Sequence, residues 1–233
     1  MKILKATTLA FILCFPTLSA HATWSGNITL ANDYLFNGIS QTQGDMAAQA
    51  GITWSADNGV YLGSWVSNVD FDQQASFELD GYIGYYLTLS KSVSVDFGIS
   101  QYTYHGSSTS SDLNFPETYL KWQLDNSQIN FWYTWDYFGT GARHFIMMAT
   151  HRIKISEHFS ITVSIDKSRS LDQGQWLWQP EDKDYLHGQI SGHYQFQQFD
   201  LSVALHGTDL DSSDLNGMGD TRVLFSISRS FGG

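Results

Sequence analysis

The sequence has 233 residues, a formal net charge of −11 at pH 7, 15% aromatic residues and only three prolines. This excess of acids argues against nucleic-acid partners, because binding phosphates requires a basic surface. The aromatic content is unusual for a disordered chain and predicts order throughout, over a length that suits one domain or at most two.

The first 22 residues have the features of a secretory signal peptide. Lys2 and Lys5 precede an apolar stretch from Leu9 to Phe15, and Ala20-His21-Ala22 matches an A-x-A cleavage site. The apolar stretch is far shorter than the roughly 20 residues that a membrane-spanning helix needs. We therefore predict cleavage after Ala22. The mature domain, residues 23–233, then has a charge of −13, because two lysines and no acids are lost.

The mature chain offers no cofactor or metal motif. The only cysteine, Cys14, lies in the predicted signal peptide, which excludes disulfides, cysteine zinc sites and a cysteine nucleophile. An acidic loop near residues 209–220 approaches the spacing of a calcium loop, but Asp214 stands where that loop needs glycine. We expect no cofactor and no bound metal, and a solvated acidic loop.

Apolar residues along the mature chain recur with a period of two. Val93, Val95, Phe97 and Ile99, for example, alternate with small or polar residues, as in a strand with one apolar face. No segment of 12 or more residues keeps a helical period. The pattern predicts twelve strands, near residues 24–31, 46–54, 60–69, 77–83, 93–100, 116–124, 129–136, 144–154, 159–166, 185–196, 199–206 and 221–231.

The connections between these strands are alternately short and long. Turns of two or three residues, such as 57–59 and 197–198, alternate with longer segments near 33–45, 70–75, 105–115, 138–143, 167–184 and 207–220. Outer-membrane barrels have this asymmetry, with tight periplasmic turns and longer external loops. The sequence therefore predicts an all-β fold: a transmembrane, antiparallel, up-and-down β-barrel of about 12 strands.

A soluble barrel or sandwich is the alternative, since its strands also alternate. Its polar face would carry Lys and Glu, whereas the polar faces here carry mainly Ser, Thr, Gln, Gly and isolated acids. Aromatic residues near the strand ends also match the interfacial girdle of a membrane barrel. The predicted girdle residues are Trp24, Trp54, Trp135, Tyr137 and Phe159. The loop segment Trp176 to Pro180 is interpreted as an interfacial anchor in preference to a sugar-binding platform.

Three motifs follow one another in the N-terminal third: DYLFNGISQT (Asp33 to Thr42), GVYLGSWVSNVD (Gly59 to Asp70) and ELDGYIGY (Glu78 to Tyr85). In order and spacing they resemble the motifs of the TorF family of proposed outer-membrane porins. The last strand also resembles the closing strand of such barrels, with Val223, Phe225, Ile227 and Phe231 on one face. The resemblance implies a porin-like function in a Gram-negative outer membrane. Family members often carry arginines where this chain has Leu35 and Asn37, so a role in binding anions does not carry over.

Two groups of residues are candidates for the pore. Acids on predicted lumen faces favour cations if they are unpaired, and merely fill the barrel if they pair with Lys121, Arg152 or Arg222. These candidate pore-lining residues are Glu78, Asp80, Asp96, Asp136, Asp166 and Asp200. The first long loop, residues 32–45, would narrow the pore if it folded inward. Its candidate constriction residues are Asp33, Tyr34, Asn37 and Gln41.

These features predict a porin-like channel for passive diffusion of small solutes or ions, with cation preference as a further hypothesis. Side chains fill the interior of a barrel of about eight strands, whereas a barrel of sixteen to eighteen strands leaves an aqueous channel. A barrel of twelve strands lies between these two cases. The expected partners are outer-membrane lipid and lipopolysaccharide, and the barrel-assembly machinery during biogenesis. One alternative is a hydrolase, with His193 opposite Ser202 and Asp200 diagonal to it. The other is a non-conducting structural or adhesive barrel.

Overall fold

The computed structural model describes residues 22–211, 213 and 215–232. The predicted signal peptide, apart from Ala22, and Asp214 of the acidic loop lie outside these residues, so signal cleavage stays a prediction. Among the described residues, no helix is long and apolar enough to cross a membrane.

The described residues form fourteen strands in chain order, and twelve of them close into an antiparallel barrel. The barrel strands are β1 (Ala22–Ala31), β4 (Ala47–Ala56), β5 (Val60–Asn68), β6 (Phe77–Thr88), β7 (Val93–His105), β8 (Phe115–Leu124), β9 (Ser127–Thr134), β10 (His144–Lys154), β11 (Phe159–Ser170), β12 (Asp184–Phe196), β13 (Phe199–Thr208) and β14 (Arg222–Gly232). The other two, β2 (Leu35–Phe36) and β3 (Ile39–Ser40), pair as a small hairpin between β1 and β4. Short 3₁₀ turns occur at Ser110–Leu113 and Tyr137–Gly139.

The barrel closes where β1 pairs with β14, from Ser25 opposite Gly232 to Ala31 opposite Ser226. Gly26 lies beneath the Phe231 ring at this seam, and a Cβ on Gly26 would stand 2.6 Å from Phe231 Cζ. Glycine is therefore needed for the aromatic ring to lie across the two strands. Every barrel strand has a partner on both sides, as a membrane-spanning sheet requires. The predicted all-β, twelve-stranded barrel is confirmed.

The outer surface of the barrel is apolar and its interior is mainly polar. In β7, Phe97 and Ile99 are exposed on the outside, whereas Ser94 and Tyr104 are buried on the inside. The same alternation exposes a belt of aliphatic side chains around the barrel: Ile28, Ile52, Leu62, Leu79, Ile83, Val163, Ile165, Ile190, Val203 and Leu205. Lipid, and not water, is the solvent that suits such a surface.

Of the residues predicted to form the aromatic girdle, Trp24 and Trp135 are exposed, as that prediction requires, but Tyr137 is not, and for it the prediction was wrong. The chain leaves β9 at Thr134 and turns inward at the 3₁₀ turn, where Phe138 has φ of +49°. Tyr137 is consequently buried, with its ring stacked on the ring of His144 at a centroid distance of 4.1 Å.

The six long connections lie at one end of the barrel, and their side chains pack there with inward-facing residues at the ends of β7, β8 and β12. We call this packed set the plug, and the end that holds it the loop end. The buried residues of the plug are Ile39, Val69, Ala75, Tyr104, Phe115, Tyr137, Trp178, Tyr185 and Leu210, with Phe36, Phe71, Phe138 and Trp176 packed against them. Trp176 and Trp178 therefore belong to the plug, and the prediction of an interfacial anchor at 176–180 was wrong.

Candidate functional site in the lumen

The hairpin of β2 and β3 reaches into the lumen from the loop end. Asn37 and Gly38 form its turn with φ of +47° and +84°, the left-handed geometry of a two-residue hairpin loop. The Tyr185 hydroxyl, from the inner face of β12, donates a hydrogen bond to the Asn37 carbonyl at 2.9 Å. Gly38 lies against the imidazole of His187, where a Cβ would approach Cδ2 to 2.5 Å. The first long loop thus folds inward.

Asp33 holds the base of the hairpin. Its buried Oδ1 accepts hydrogen bonds from Ser40 Oγ at 2.7 Å and from Thr42 Oγ1 at 2.8 Å. Its Oδ2 lies 3.2 Å from Arg222 Nη1, at the start of β14. One carboxylate therefore joins both arms of the hairpin to the barrel wall.

The other candidate constriction residues occupy different levels of the loop. Tyr34 lies edge-on to Trp65 at 5.4 Å, and burial, followed by the neighbouring charge of Glu78, raises the pKa of Tyr34 well above its usual value. Its phenol therefore stays neutral. Gln41 donates from Nε2 to the Ile39 carbonyl at 3.0 Å, and it lines a cavity at the loop end. Asp33 and Tyr34 support the hairpin, whereas Asn37 and Gln41 line open space.

Two cavities lie on either side of the hairpin. The outer cavity, of about 450 Å³, opens among the long loops; the inner cavity, of about 410 Å³, lies between the hairpin and strands β7 to β10. Phe36 lines both cavities, and its ring lies 6.2 Å from Tyr102 and 6.5 Å from Phe138. Phe36 was not predicted from the sequence as a pore residue. The available signal was an aromatic residue directly before the Asn37-Gly38 turn of the first long loop.

Glu78 and Asp80 point inward from β6 and are buried. Glu78 accepts a hydrogen bond from the Tyr104 hydroxyl at 3.3 Å, while Glu78 Oε2 and Asp80 Oδ1 have no partner in the described structure. Glu117, which was not among the predicted pore residues, is buried on β8 and accepts a hydrogen bond from the Tyr102 hydroxyl at 2.8 Å. Among the described residues, no Lys or Arg forms an ion pair with these three carboxylates.

Three of the remaining candidate acids, Asp96, Asp166 and Asp200, lie next to a basic side chain. Asp96 lies 3.8 Å from Lys121 Nζ and accepts a hydrogen bond from Tyr61. Asp166 contacts His187 Nδ1 at 2.6 Å, and His187 Nε2 lies 3.1 Å from His206 Nδ1. For Asp96, the predicted pairing with Lys121 is therefore present. Arg152 instead donates to Ser160 Oγ at 3.1 Å.

Asp136 lies outside the barrel wall, because β9 ends two residues earlier at Thr134. Its Oδ1 accepts a hydrogen bond from the Gly141 amide at 2.7 Å and so closes the loop between β9 and β10. The strand predicted for 129–136 spans 127–134 in the structure, so the prediction was shifted by two residues toward the C-terminus. Asp136 is thus in a loop and not on a strand face.

Ser191, His193 and Asp200 form a chain of contacts near the opposite end of the lumen. Ser191 Oγ lies 3.0 Å from His193 Nε2, and His193 Nδ1 lies 3.2 Å from Asp200 Oδ1. His193 does pair with Ser202 across the strands, as the sequence predicted, but Ser202 contacts Ser226 instead. The order of contacts is that of a serine hydrolase triad. Ser191 is, however, 2% exposed and lines neither cavity.

Metal ligation is a separate question. Within the part of the chain that the structure describes, no three His, Cys, Asp or Glu side chains are placed to hold a metal ion.

Solved outer-membrane porins share this architecture. The KdgM porin in complex with disordered oligogalacturonate is 11% identical, with a TM-score of 0.55 over 91% of this chain and 99% of its own. The NanC porin is 12% identical, with a TM-score of 0.58 over 88% and 98% of the two chains. At these identities the likeness establishes the fold.

Sequence comparison gives a family but no characterised relative. No curated protein matches the chain. A family model matches residues 17–231, which include all but the last residue of the barrel. The chain belongs to the Gcw_chp family, described as bacterial proteins of unknown function.

Proposed function

We propose that this protein is an outer-membrane channel for passive diffusion of small solutes or ions, with its narrowest point at Phe36. The observation that carries the proposal is that one closed barrel holds two cavities, one on each side of the hairpin, and that Phe36 lines both of them. The TorF-like motifs and the porin neighbours of the same barrel type support it.

The membrane arrangement follows from the two ends of the barrel. Lipid and, on the outer leaflet, lipopolysaccharide cover the apolar belt, the long loops face the exterior, and the short turns face the periplasm. The barrel-assembly machinery acts on the chain after export, with β14 as the closing strand.

Cation preference is the finer part of the proposal. Glu78, Asp80 and Glu117 carry no Lys or Arg ion pair among the described residues, whereas Asp96 is offset by Lys121. Carboxylates without a basic partner lower the electrostatic barrier for cations in a pore. Glu117 lines the inner cavity directly, together with Lys121, whose charge is offset by Asp96.

Single-channel recording in planar bilayers tests the channel. Refolded protein should conduct, and Phe36→Ala should raise the conductance because it removes the ring between the cavities. Phe97→Ala, on the exposed outer face of β7, is the matched control and should leave the conductance unchanged. If neither the wild type nor Phe36→Ala conducts, the protein is a structural or adhesive barrel.

Reversal potentials in a salt gradient test the selectivity. The sign should be that of a cation-selective pore, and the potential should weaken at high ionic strength, where the screening length falls to about 3 Å at 1 M. The double variant Glu78→Gln, Asp80→Asn should move the potential towards zero more than Asp96→Asn does. An anion-selective wild type would contradict the cation preference but not the channel.

A hydrolase is a second candidate, and the contacts of Ser191, His193 and Asp200 are the observation that favours it. A fluorophosphonate probe should label the folded protein if this serine is a nucleophile. Labelling that is lost in Ser191→Ala and kept in Ser202→Ala would establish the activity. Absence of labelling would assign the three residues to filling of the lumen.

A further inference from the structure

The outer cavity has aromatic walls. Trp176 and Trp178 meet at 5.8 Å with an angle of 88° between their rings, and Tyr137 lies 6.2 Å from Trp176 at 69°. Phe71 and Phe138 form a second corner at 6.2 Å and 62°. All five rings line the cavity. Faces set at steep angles around one space can surround a compact group on several sides, as in the aromatic cages that bind quaternary ammonium ions.

The polar residues at the cavity leave it with uncompensated negative charge. Asp70 and Asp72 line it, and no Lys or Arg ion pair reaches either of them in the described part of the chain. Asp70 Oδ1 accepts from the Asp72 amide at 3.0 Å, and Asp72 Oδ1 accepts from Gln43 Nε2 at 3.2 Å. Arg222 also borders the cavity, but its charge is offset by Asp33 at 3.2 Å.

We propose that the outer cavity is a binding site for small organic cations, of the quaternary ammonium class. The aromatic faces stabilise the positive charge through their quadrupoles, and the apolar edges of Leu113, Leu215 and Met218 contact the methyl groups. Asp70 and Asp72 supply the opposite charge, and a quaternary ammonium group, which has no N–H to donate, needs only that charge and no directional hydrogen bond.

The size and the surrounding charge of the cavity agree with this ligand class. A volume of about 450 Å³ lies within the range of sites for small molecules. The net charge of −11 on the whole chain raises the local concentration of cations and lowers that of anions. The negative charge would not raise the local concentration of a neutral sugar. An anion would be repelled by Asp70 and Asp72.

Binding to the refolded protein in detergent tests the site without a membrane. Titration with choline, followed by tryptophan fluorescence and by calorimetry, should show one saturable site. The neutral isostere 3,3-dimethyl-1-butanol has the same shape without the charge, and should bind about tenfold more weakly. Equal affinity for the two compounds, or tighter binding of glucose than of choline, would overturn the proposal.

Two variants localise the site, and each has a matched control. Asp72→Asn and Trp176→Leu should each weaken choline binding about tenfold. Asp112→Asn removes an exposed acid at the same end of the barrel, and Trp135→Leu removes an exposed ring on the outer face, so both should bind as the wild type does. Different mobility of unheated and boiled samples in SDS confirms that each variant is folded.

The inference rests on the proposed channel only in treating the bound cation as a transported solute. If the protein binds choline but does not conduct, the cavity is a receptor site and the channel fails alone. If it conducts but does not distinguish choline from its isostere, the cation site fails alone.

Discussion

The two halves of the lumen differ in what fills them. At the loop end, Phe115 and Tyr185 are almost fully buried among the hairpin and the long loops. At the turn end the ionisable side chains stay partly open: Lys121 and Asp96 keep 35% and 20% of their surface, and His193 and Asp200 keep 29% and 26%. The loop end is packed like a small protein core, whereas the inward-facing ionisable side chains of the turn end are not fully enclosed.

This difference indicates that the wall of the barrel and the plug have different roles. The wall supplies the stability of the fold through its hydrogen-bonded ladder and its lipid-facing belt. Under the proposed function, the plug supplies the barrier and the recognition, because the hairpin and both cavities lie at that end. Changes to the wall should therefore alter stability, and changes to the plug should alter passage and binding while the barrel persists.

The largest effect should come from a charge on the outside of the wall. Val163→Arg, near the middle of β11, should destabilise the barrel by about 2–4 kcal/mol in denaturant titrations, because the guanidinium would lie in lipid. Thr162→Arg, its neighbour on the inner face, should fold at close to wild-type stability. Equal losses for the two variants would mean that the inner and outer faces have been assigned wrongly.

Loss of the ion pair at the base of the hairpin should destabilise the plug and leave the stability of the wall unchanged. Arg222→Met leaves the buried Asp33 carboxylate without its cation, and should destabilise the hairpin locally by roughly 2 kcal/mol. Hydrogen exchange should become faster at residues 35–40 and stay unchanged in β7 and β11. Arg229→Met, exposed on the same strand, is the control. Uniformly faster exchange would show that plug and wall are one cooperative unit.

A smaller effect should follow from a methyl group at the hairpin turn. In Gly38→Ala, the left-handed φ costs about 1–2 kcal/mol. The new methyl group would also clash with the ring of His187, so the turn should move away from β12. Gly141→Ala has a similar φ of +73° but no contact closer than 3.3 Å. Conductance should rise in the first variant alone. If both variants conduct alike, backbone strain and not the contact with His187 is responsible.

The smallest effect should be at the exposed rim of the loop end. Hydrogen bonds from Arg143 lower the pKa of Asp172 from 3.8 to about 2. A depressed carboxyl pKa stabilises the folded state above pH 4, and this contribution is lost as the pH falls through 2. The difference in melting temperature between wild type and Asp172→Asn should follow that profile and shrink in high salt. Arg143→Gln should give the same profile. A difference in melting temperature that did not change with pH would exclude this ion pair as its cause.

The wall could be predicted from the sequence and the plug could not. Alternation in segments such as 93–100 reports directly which side chains face lipid, so strand number and orientation followed from it. Tyr137 and Trp178 were misassigned, because an aromatic residue near a strand end has the same sequence signature at a membrane interface and in a plug. Only the path of the loop distinguishes the two, and that path depends on the left-handed turn at Phe138 and on contacts distant in sequence.

The acids show the same limit at the level of the site. Inward placement of Glu78, Asp80 and Asp96 followed from strand parity, but their partners did not. Asp96 meets Lys121 because β7 and β8 pair in the register that puts these residues opposite each other. Glu117 escaped notice because the alternation of β8 is less regular, with Pro116 and Thr118 on its outer face.

The seam between β1 and β14 has a consequence for how the molecule is made. Its pairs join residues about 200 positions apart, such as Ser25 with Gly232, so this contact has the highest sequence separation in the barrel. Loop-closure entropy delays such a contact until the intervening hairpins have formed. Until then β1 and β14 each present a free edge, open to pairing with another chain. The rate at which the seam closes, and not that of any single hairpin, should set the folding time and the interval in which the chain is vulnerable to aggregation.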